Sequence, residues 1–271
     1  MTKSECLELL RWALPRLRLR WPGFRRVHRQ VCRRIQRRMD ELGVDSPAAY
    51  RSHLDRHPEE WAHLDAMCRI PISRFFRDRG VFTALQARVL PALARQARDQ
   101  GRDALRAWSA GCASGEEPYS LAILWRHGLA THLPGVRLCI VATDADPHLL
   151  ERARSACYPW SSLKEMPPAL RAAAFTRSEG VYCLQSALRQ EVYLRRQDIR
   201  REQPEGLFDL ILCRNLAFTY FEPALQRDVL ARMLAHLRNG GALVIGSDES
   251  LPEDSDLSPW PGIQWVYGRD C

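Results

Sequence analysis

The side chains with most chemical content stand in one short string, Ser109-Ala110-Gly111-Cys112-Ala113-Ser114-Gly115-Glu116-Glu117-Pro118. Small residues at the carboxyl end of a strand leave the backbone open to close approach by a ligand. The glycine spacing is Gly-x-x-x-Gly, not the Gly-x-Gly-x-x-Gly of a dinucleotide fingerprint, and two carboxylates follow where a helix should begin. Those carboxylates would repel a pyrophosphate and attract a cationic group such as an ammonium. One of the two has an alternative role, as a helix N-terminal acid interacting with the dipole.

Another acid ends the apolar run Ile140-Val141-Ala142-Thr143-Asp144. A carboxylate there can accept hydrogen bonds from both hydroxyls of a ribose. Asp144 follows Gly111 by 33 positions, which is room for one helix and one strand. Capping a helix that opens at Pro147 is the competing use of Asp144, and Asp146 is the better candidate for it. Together the loop and Asp144 favour a nucleoside with a positively charged tail, a description that S-adenosylmethionine fits. No cysteine pair joins a histidine pair at ligand spacing, so no metal site is expected.

The elements that must position these groups are legible from periodicity. Strands are expected at Leu105 to Trp108, Arg137 to Thr143, Leu207 to Cys213 and Ala242 to Gly246, with the last strand near Ile263 to Tyr267. Helices are expected from Pro118 to Arg126, from Pro147, and from Pro223 to Arg238, the last closed by Asn239-Gly240. Strands separated by helices imply a parallel, doubly wound sheet. Val181 to Leu184 and Val192 to Leu194 fit that rhythm poorly and suggest a short antiparallel insert at about 160–200. Upstream, Phe24, Val27, Val31, Ile35, Met39 and Leu42 fall on one helical stripe. Gly43 and Ser46-Pro47 then separate it from further helices, so that residues 1–72 read as a small all-helical domain and 73–271 as the α/β domain.

Composition narrows the function classes. The 271 residues carry 40 basic and 32 acidic side chains, and the segment from Arg11 to Arg38 holds eleven arginines and no acid. That block suits an acidic protein, a nucleic acid or a membrane surface, or is simply a solvated helix face. No apolar stretch reaches the roughly 18 residues of a membrane span, and arginines interrupt any signal-like start. A cytoplasmic protein without membrane insertion is expected. Nine cysteines, none in Cys-x-x-Cys spacing, are expected to be small buried hydrophobes kept reduced.

The strings Trp108 to Ser120 (WSAGCASGEEPYS), Ala142-Thr143-Asp144, Phe75-Phe76-Arg77 and Cys213-Arg214-Asn215 together resemble the CheR-type methyltransferases, which methylate glutamate side chains of bacterial chemoreceptors. The resemblance spans nearly the whole chain, including the helical N-terminal domain and the insert. It implies an α/β fold with a Rossmann-like class I methyltransferase sheet and S-adenosylmethionine as cofactor. Carried over by position, it implies cofactor contacts at Ser73 and Arg77 of the connector, at Gly111, Cys112 and Glu116 of the loop, and at Asp144. It places Asp198-Ile199 beside the adenine and Asn215-Leu216 under the methionine end. Tyr220 resembles the active-site tyrosine, and an arginine of the helix after the connector (Arg88, Arg95 or Arg98, with Arg95 and Arg98 preferred) should orient the substrate carboxylate.

The departures from that pattern surround the acceptor. Pro71 and Ser73 replace the usual Asn and Thr of the connector, and one extra residue precedes Tyr220-Phe221. The resemblance itself implies O-methylation of a protein glutamate on an acidic, receptor-like coiled coil. Two alternatives remain, a small-molecule acceptor and a non-catalytic S-adenosylmethionine-binding module. Nucleic-acid methylation rests only on the arginine block, because Cys213-Arg214-Asn215-Leu216 stands where amino-directed enzymes carry an Asn/Asp-Pro-Pro-Tyr loop.

Overall fold

The computed structural model describes residues 1–253 and 255–269. Cys271 lies outside the described residues. The chain forms two compact units, Met1–Ile70 with Leu216–Gln226, and Pro71–Asn215 with the remainder from Arg227.

The helical unit is built on α1 (Lys3–Ala13), α2 (His28–Glu41), α3 (Pro47–Arg56) and α4 (Glu60–Cys68). Thr2 opens α1 through a capping box with Glu5, and Ser46 caps α3 by accepting from the Ala49 N–H. Four of the six residues of the expected stripe, Phe24, Val31, Ile35 and Met39, are buried with Leu9, Leu10, Tyr50 and Leu64, and Val27 and Leu42 are half-buried. One acid is buried among them. Glu60 accepts from both Arg38 Nε (3.0 Å) and Nη2 (2.7 Å) and from the Tyr50 hydroxyl (2.9 Å). Burial works against its ionisation, but those bonds prevail and hold its pKa below the ordinary value.

The second unit carries a seven-stranded sheet. Its strands are β1 (Ala104–Ala110), β2 (Arg137–Asp144), β6 (Val192–Arg196), β7 (Phe208–Cys213), β8 (Leu237–Ile245), β9 (Ser258–Trp260) and β10 (Ile263–Gly268). A separate sheet is formed by β3 (Cys157–Pro159), β4 (Phe175–Ser178) and β5 (Val181–Leu184). The large sheet runs β6-β2-β1-β7-β8-β10-β9, parallel from β6 to β8 and antiparallel at β10 and β9. The flanking helices include α5 (Leu90–Asp99), α6 (Glu116–Gly128), α7 (Pro147–Ser155) and α8 (Pro223–His236). All six residues of β7 are buried, as a central parallel strand requires.

Three expectations are corrected. Val192 to Leu194 does not belong to the insert: it pairs in parallel with Ile140 to Ala142 at the edge of the large sheet, where Val192 is buried. The helix from Pro223 ends at His236, and Asn239-Gly240 lies inside β8, where Gly240 at φ +71° takes up a register shift against β7. Four cysteines are not free thiols: Cys6 bonds Cys32, and Cys157 bonds Cys183 across β3 and β5. Each pair is 26 residues apart, a separation that no local motif announces. No helix among the described residues is long and apolar enough to cross a membrane.

Candidate functional site

The chain leaves β1 for β2 on one side and later returns to β7 on the other, so the strand order switches beside β1. In open α/β sheets the crevice outside the carboxyl ends at such a point is where ligands bind. The small-residue loop stands there. The Gly111 and Cys112 N–H groups both donate to the Thr143 carbonyl (2.8 and 2.9 Å), which ties the loop to β2. Gly111 and Ala113 have positive φ, and Gly115 sits at φ +90°. A Cβ on Gly115 would lie 2.9 Å from the Tyr119 ring and 3.0 Å from the Ala153 Cβ, so only glycine fits.

Asp144 ends β2 beside this loop. Its Oδ2 accepts from the Ala113 N–H and its Oδ1 from the Asp146 N–H, at 2.8 and 2.9 Å. These two backbone bonds orient the Asp144 carboxylate, an acceptor-only group, at the end of β2. Helix capping falls to Asp146, which accepts from the His148 and Leu149 N–H groups. Residues 197–199 follow β6 on the far side of β2: the Gln197 N–H donates to the Asp144 carbonyl (3.0 Å), and Ile199 is buried. Asp198 is held by Arg200 at 2.7 Å.

Glu116, at the start of α6, is 1% exposed. Its carboxylate accepts from the Ser114 hydroxyl (2.9 Å) and the Ser162 hydroxyl (3.4 Å), and it forms no ion pair among the described residues. A buried carboxylate solvated only by hydroxyls favours a cation beside it. Neighbouring groups register the same negative potential. Burial, then the charges of Asp144 and Glu117, push the Cys112 thiol well above its ordinary pKa. Burial, then Glu116, does the same to the Tyr158 hydroxyl, which donates to the Ser114 carbonyl at 2.7 Å. Cys112 is therefore a protonated, inert thiol. These features fit a ligand that joins a diol to a cationic tail, and they do not fit a pyrophosphate.

The connector is fastened to the same helix. The Phe76 N–H donates to the Ser120 hydroxyl (2.9 Å), which in turn donates to the Glu116 carbonyl (2.6 Å). The Phe75 N–H donates to the Ser162 carbonyl at 2.9 Å, and its ring packs edge-on against Tyr158 and Phe175. Arg77 is half-buried and donates to the Ile72 carbonyl (2.8 Å); Ser73 is half-buried. At the carboxyl ends of β7 and β8, one Glu249 oxygen accepts from the Asn215 and Gly246 N–H groups.

Tyr220 and Leu216 belong to the helical unit. Tyr220 packs edge-on against Phe24 at 5.2 Å between ring centroids, and its carbonyl accepts from the Arg20 N–H. The preference for Arg95 and Arg98 is corrected. Between these two residues, Gln96 bonds the Asn239 carbonyl in the amino-terminal half of β8, and the Arg102 N–H bonds the Ala97 carbonyl just before β1. Both arginines are exposed, and these neighbours lie toward the amino-terminal ends of β8 and β1, whereas the loop follows the carboxyl end of β1. Arg88, in the helical turn before α5, donates to the Pro261 carbonyl (2.7 Å).

Sequence reasoning did not single out Ser114, Ser120, Tyr158, Ser162, Asp78 and Glu249. Ser114 and Ser120 flank the acidic string and were within reach of a local reading. The others are brought in by the second sheet, by the connector and by the loop after β8, so only the fold gathers them.

Comparison with known proteins agrees with this geometry. Residues 72–265 match the family model described as CheR methyltransferase, SAM binding domain, and residues 28–65 match that of the CheR methyltransferase all-alpha domain. The chain is 35% identical over 243 residues to chemotaxis protein methyltransferase 2 of Pseudomonas aeruginosa, covering 88% of this chain and 83% of that protein. It is 35% identical over 191 residues to a chemotaxis protein methyltransferase of Listeria monocytogenes, 70% of each. An uncharacterised 104.1 kDa protein of Rhodobacter capsulatus is 34% identical over 226 residues, 83% of this chain and 23% of that protein's length.

Proposed function

The chain belongs to the CheR methyltransferase family, and on that premise we propose that it O-methylates a carboxylate, a glutamate side chain presented by an acidic helical protein. The fold is of the class I methyltransferase kind and the cofactor is S-adenosylmethionine, which supplies a methyl group on a sulfonium. Glu116 would hold the ammonium of its methionine portion and Asp144 its ribose diol. The residues at 198–199 would border the adenine, and Ser73, Arg77 and Asn215 would be further cofactor contacts. The protein's task is alignment and exclusion of water, because an in-line displacement needs the acceptor oxygen at close contact with the methyl carbon. A glutamate is already ionised at neutral pH, so no general base is needed. Cys112, kept protonated, does not compete as a nucleophile. Tyr220 retains the acceptor-side role that the family resemblance implies.

The observation that carries the choice of acceptor is in the helical unit. Arg25, Arg29, Arg33 and Arg37 are all exposed at four-residue spacing, a basic stripe on the face of α2 and the turn before it that is turned away from the core stripe. Such a stripe matches an acidic helix or coiled coil and steers its approach. The test replaces Arg25, Arg29 and Arg33 by Glu. Methylation of a chemoreceptor cytoplasmic fragment should fall by at least about tenfold, with S-adenosylhomocysteine affinity unchanged. Unchanged methylation removes the docking role. The second reading, a small-molecule acceptor, is favoured by Pro71 and by the extra residue before Tyr220. It predicts that the triple reversal leaves turnover of that metabolite intact.

A further inference from the structure

Arg214 stands directly after β7 with a side chain only 3% exposed. Its Nη2 donates to the Asp78 carboxylate (2.7 Å) and to the Arg77 carbonyl (2.9 Å), and its Nη1 donates to the Glu117 carboxylate (3.1 Å). The other Glu117 oxygen accepts from the Ser109 hydroxyl at the end of β1 (2.8 Å). One buried cation thus joins β1, β7, the start of α6 and the connector. Its neighbours in the connector are unusual. Phe76 (φ +55°) and Asp78 (φ +59°) both hold left-handed backbone on either side of Arg77, a conformation that bulky L residues rarely adopt. Backbone of this kind persists only where its surroundings over-determine it. Here the surroundings are Ser120 on the Phe76 N–H and Arg214 on the Arg77 carbonyl and the Asp78 side chain.

We propose that Arg214 is a positioning residue: with Asp78 and Glu117 it clamps the connector so that the Arg77 guanidinium is delivered to the methyl-donor site in one orientation. The proposal rests on the reading of Arg77 as a donor contact. A lysine cannot replace the clamp, since a single ammonium cannot present the planar fork that reaches two carboxylates and a carbonyl together. Glu117, for its part, serves Arg214 and not the ligand, which leaves Glu116 as the cationic tail's partner.

The experiment is a double-mutant cycle read by calorimetry with S-adenosylhomocysteine on the full chain: wild type, Arg77→Ala, Arg214→Lys and the double variant, each checked by thermal melting. If the clamp acts through Arg77, each single change weakens binding by about tenfold and the double change weakens it no further. Losses that multiply to about a hundredfold would make Arg214 a general structural residue and overturn the clamp. So would unchanged affinity in Arg214→Lys. Should Arg214→Lys fail to fold, Asp78→Asn takes its place in the same cycle and is judged by the same non-additivity. Arg77→Ala binding as well as wild type overturns the clamp while leaving the donor site standing. Wild type that does not bind S-adenosylhomocysteine overturns the functional reading itself.

Discussion

Glu116 and Asp144 are both acids at the carboxyl edge of the sheet, yet their surroundings give them different work. Asp144 is oriented by two backbone N–H groups at the end of its strand; Glu116 is buried under hydroxyls and forms no ion pair among the described residues. Replacing Asp144 by Ala should therefore abolish S-adenosylhomocysteine binding, measured by calorimetry, and retained affinity would sink its assignment to the ribose. Glu116→Gln should act in two opposite directions. It keeps the Ser114 and Ser162 bonds but removes a buried charge, so the ligand-free protein should melt higher, by the equivalent of about 1 kcal/mol or more. Ligand affinity should fall at least about tenfold, because the cationic tail loses its counter-charge. A lower melting point with unchanged affinity would contradict the reading. At this scale the arrangement was legible: a Gly-x-x-x-Gly loop running into acids and a strand ending in Asp are written in residue type and spacing, and the structure brings them side by side at the carboxyl edge of the sheet. Asp78 was not legible, because its partner Arg214 is 136 positions away.

Among the elements, the three-stranded sheet supports the loop. Tyr158 of β3 hydrogen-bonds the Ser114 carbonyl, and Phe75 of the connector packs between Tyr158 and Phe175. The Cys157–Cys183 bond closes a 26-residue separation across this sheet. Loop-closure entropy of that size corresponds to about 3.5 kcal/mol. The Cys157→Ser, Cys183→Ser double variant should melt several degrees lower and bind S-adenosylhomocysteine more weakly, with differential scanning calorimetry and titration as the two readouts. An unaltered affinity would show that the insert supports only itself. The sequence announced an antiparallel insert through its irregular rhythm, but it could not separate β5 from β6. Both are short runs rich in β-branched and aromatic residues, and only their pairing partners, β3 and β4 for one and β2 for the other, tell them apart.

On the scale of the whole molecule, the helical unit carries its own electrostatic anchor. Glu60 has a folded pKa lowered from its ordinary 4.5, with burial opposing and the Arg38 and Tyr50 hydrogen bonds prevailing. The stabilisation from this group is complete above that ordinary value and is lost as pH falls through the lower folded value. Thermal melts at descending pH should show the wild type losing stability in that window. Glu60→Gln, destabilised at neutral pH by about 1–3 kcal/mol, should lose less there. Parallel pH profiles for the two proteins would remove Glu60 from the account. The basic stripe on α2 belongs to this scale too, since its arginines serve nothing in the unit's own core.

By itself the sequence determined the loop, the two acids, the buried strands and the apolar stripe of α2. Each is written in residue type at short or regular spacing, and backbone geometry converts such spacing directly into position. Only the tertiary structure decided the disulfide pairs, the edge place of β6, the remoteness of Arg95 and Arg98 from the loop, and the Arg214 clamp. Those depend on which distant segments meet, and on how far a helix has descended along the sheet before an arginine leaves it. The loop from Gly111 to Glu116 was readable because its small residues and its acid stand together in one short string. The clamp was not, because a buried ion network draws its members from wherever the chain happens to return.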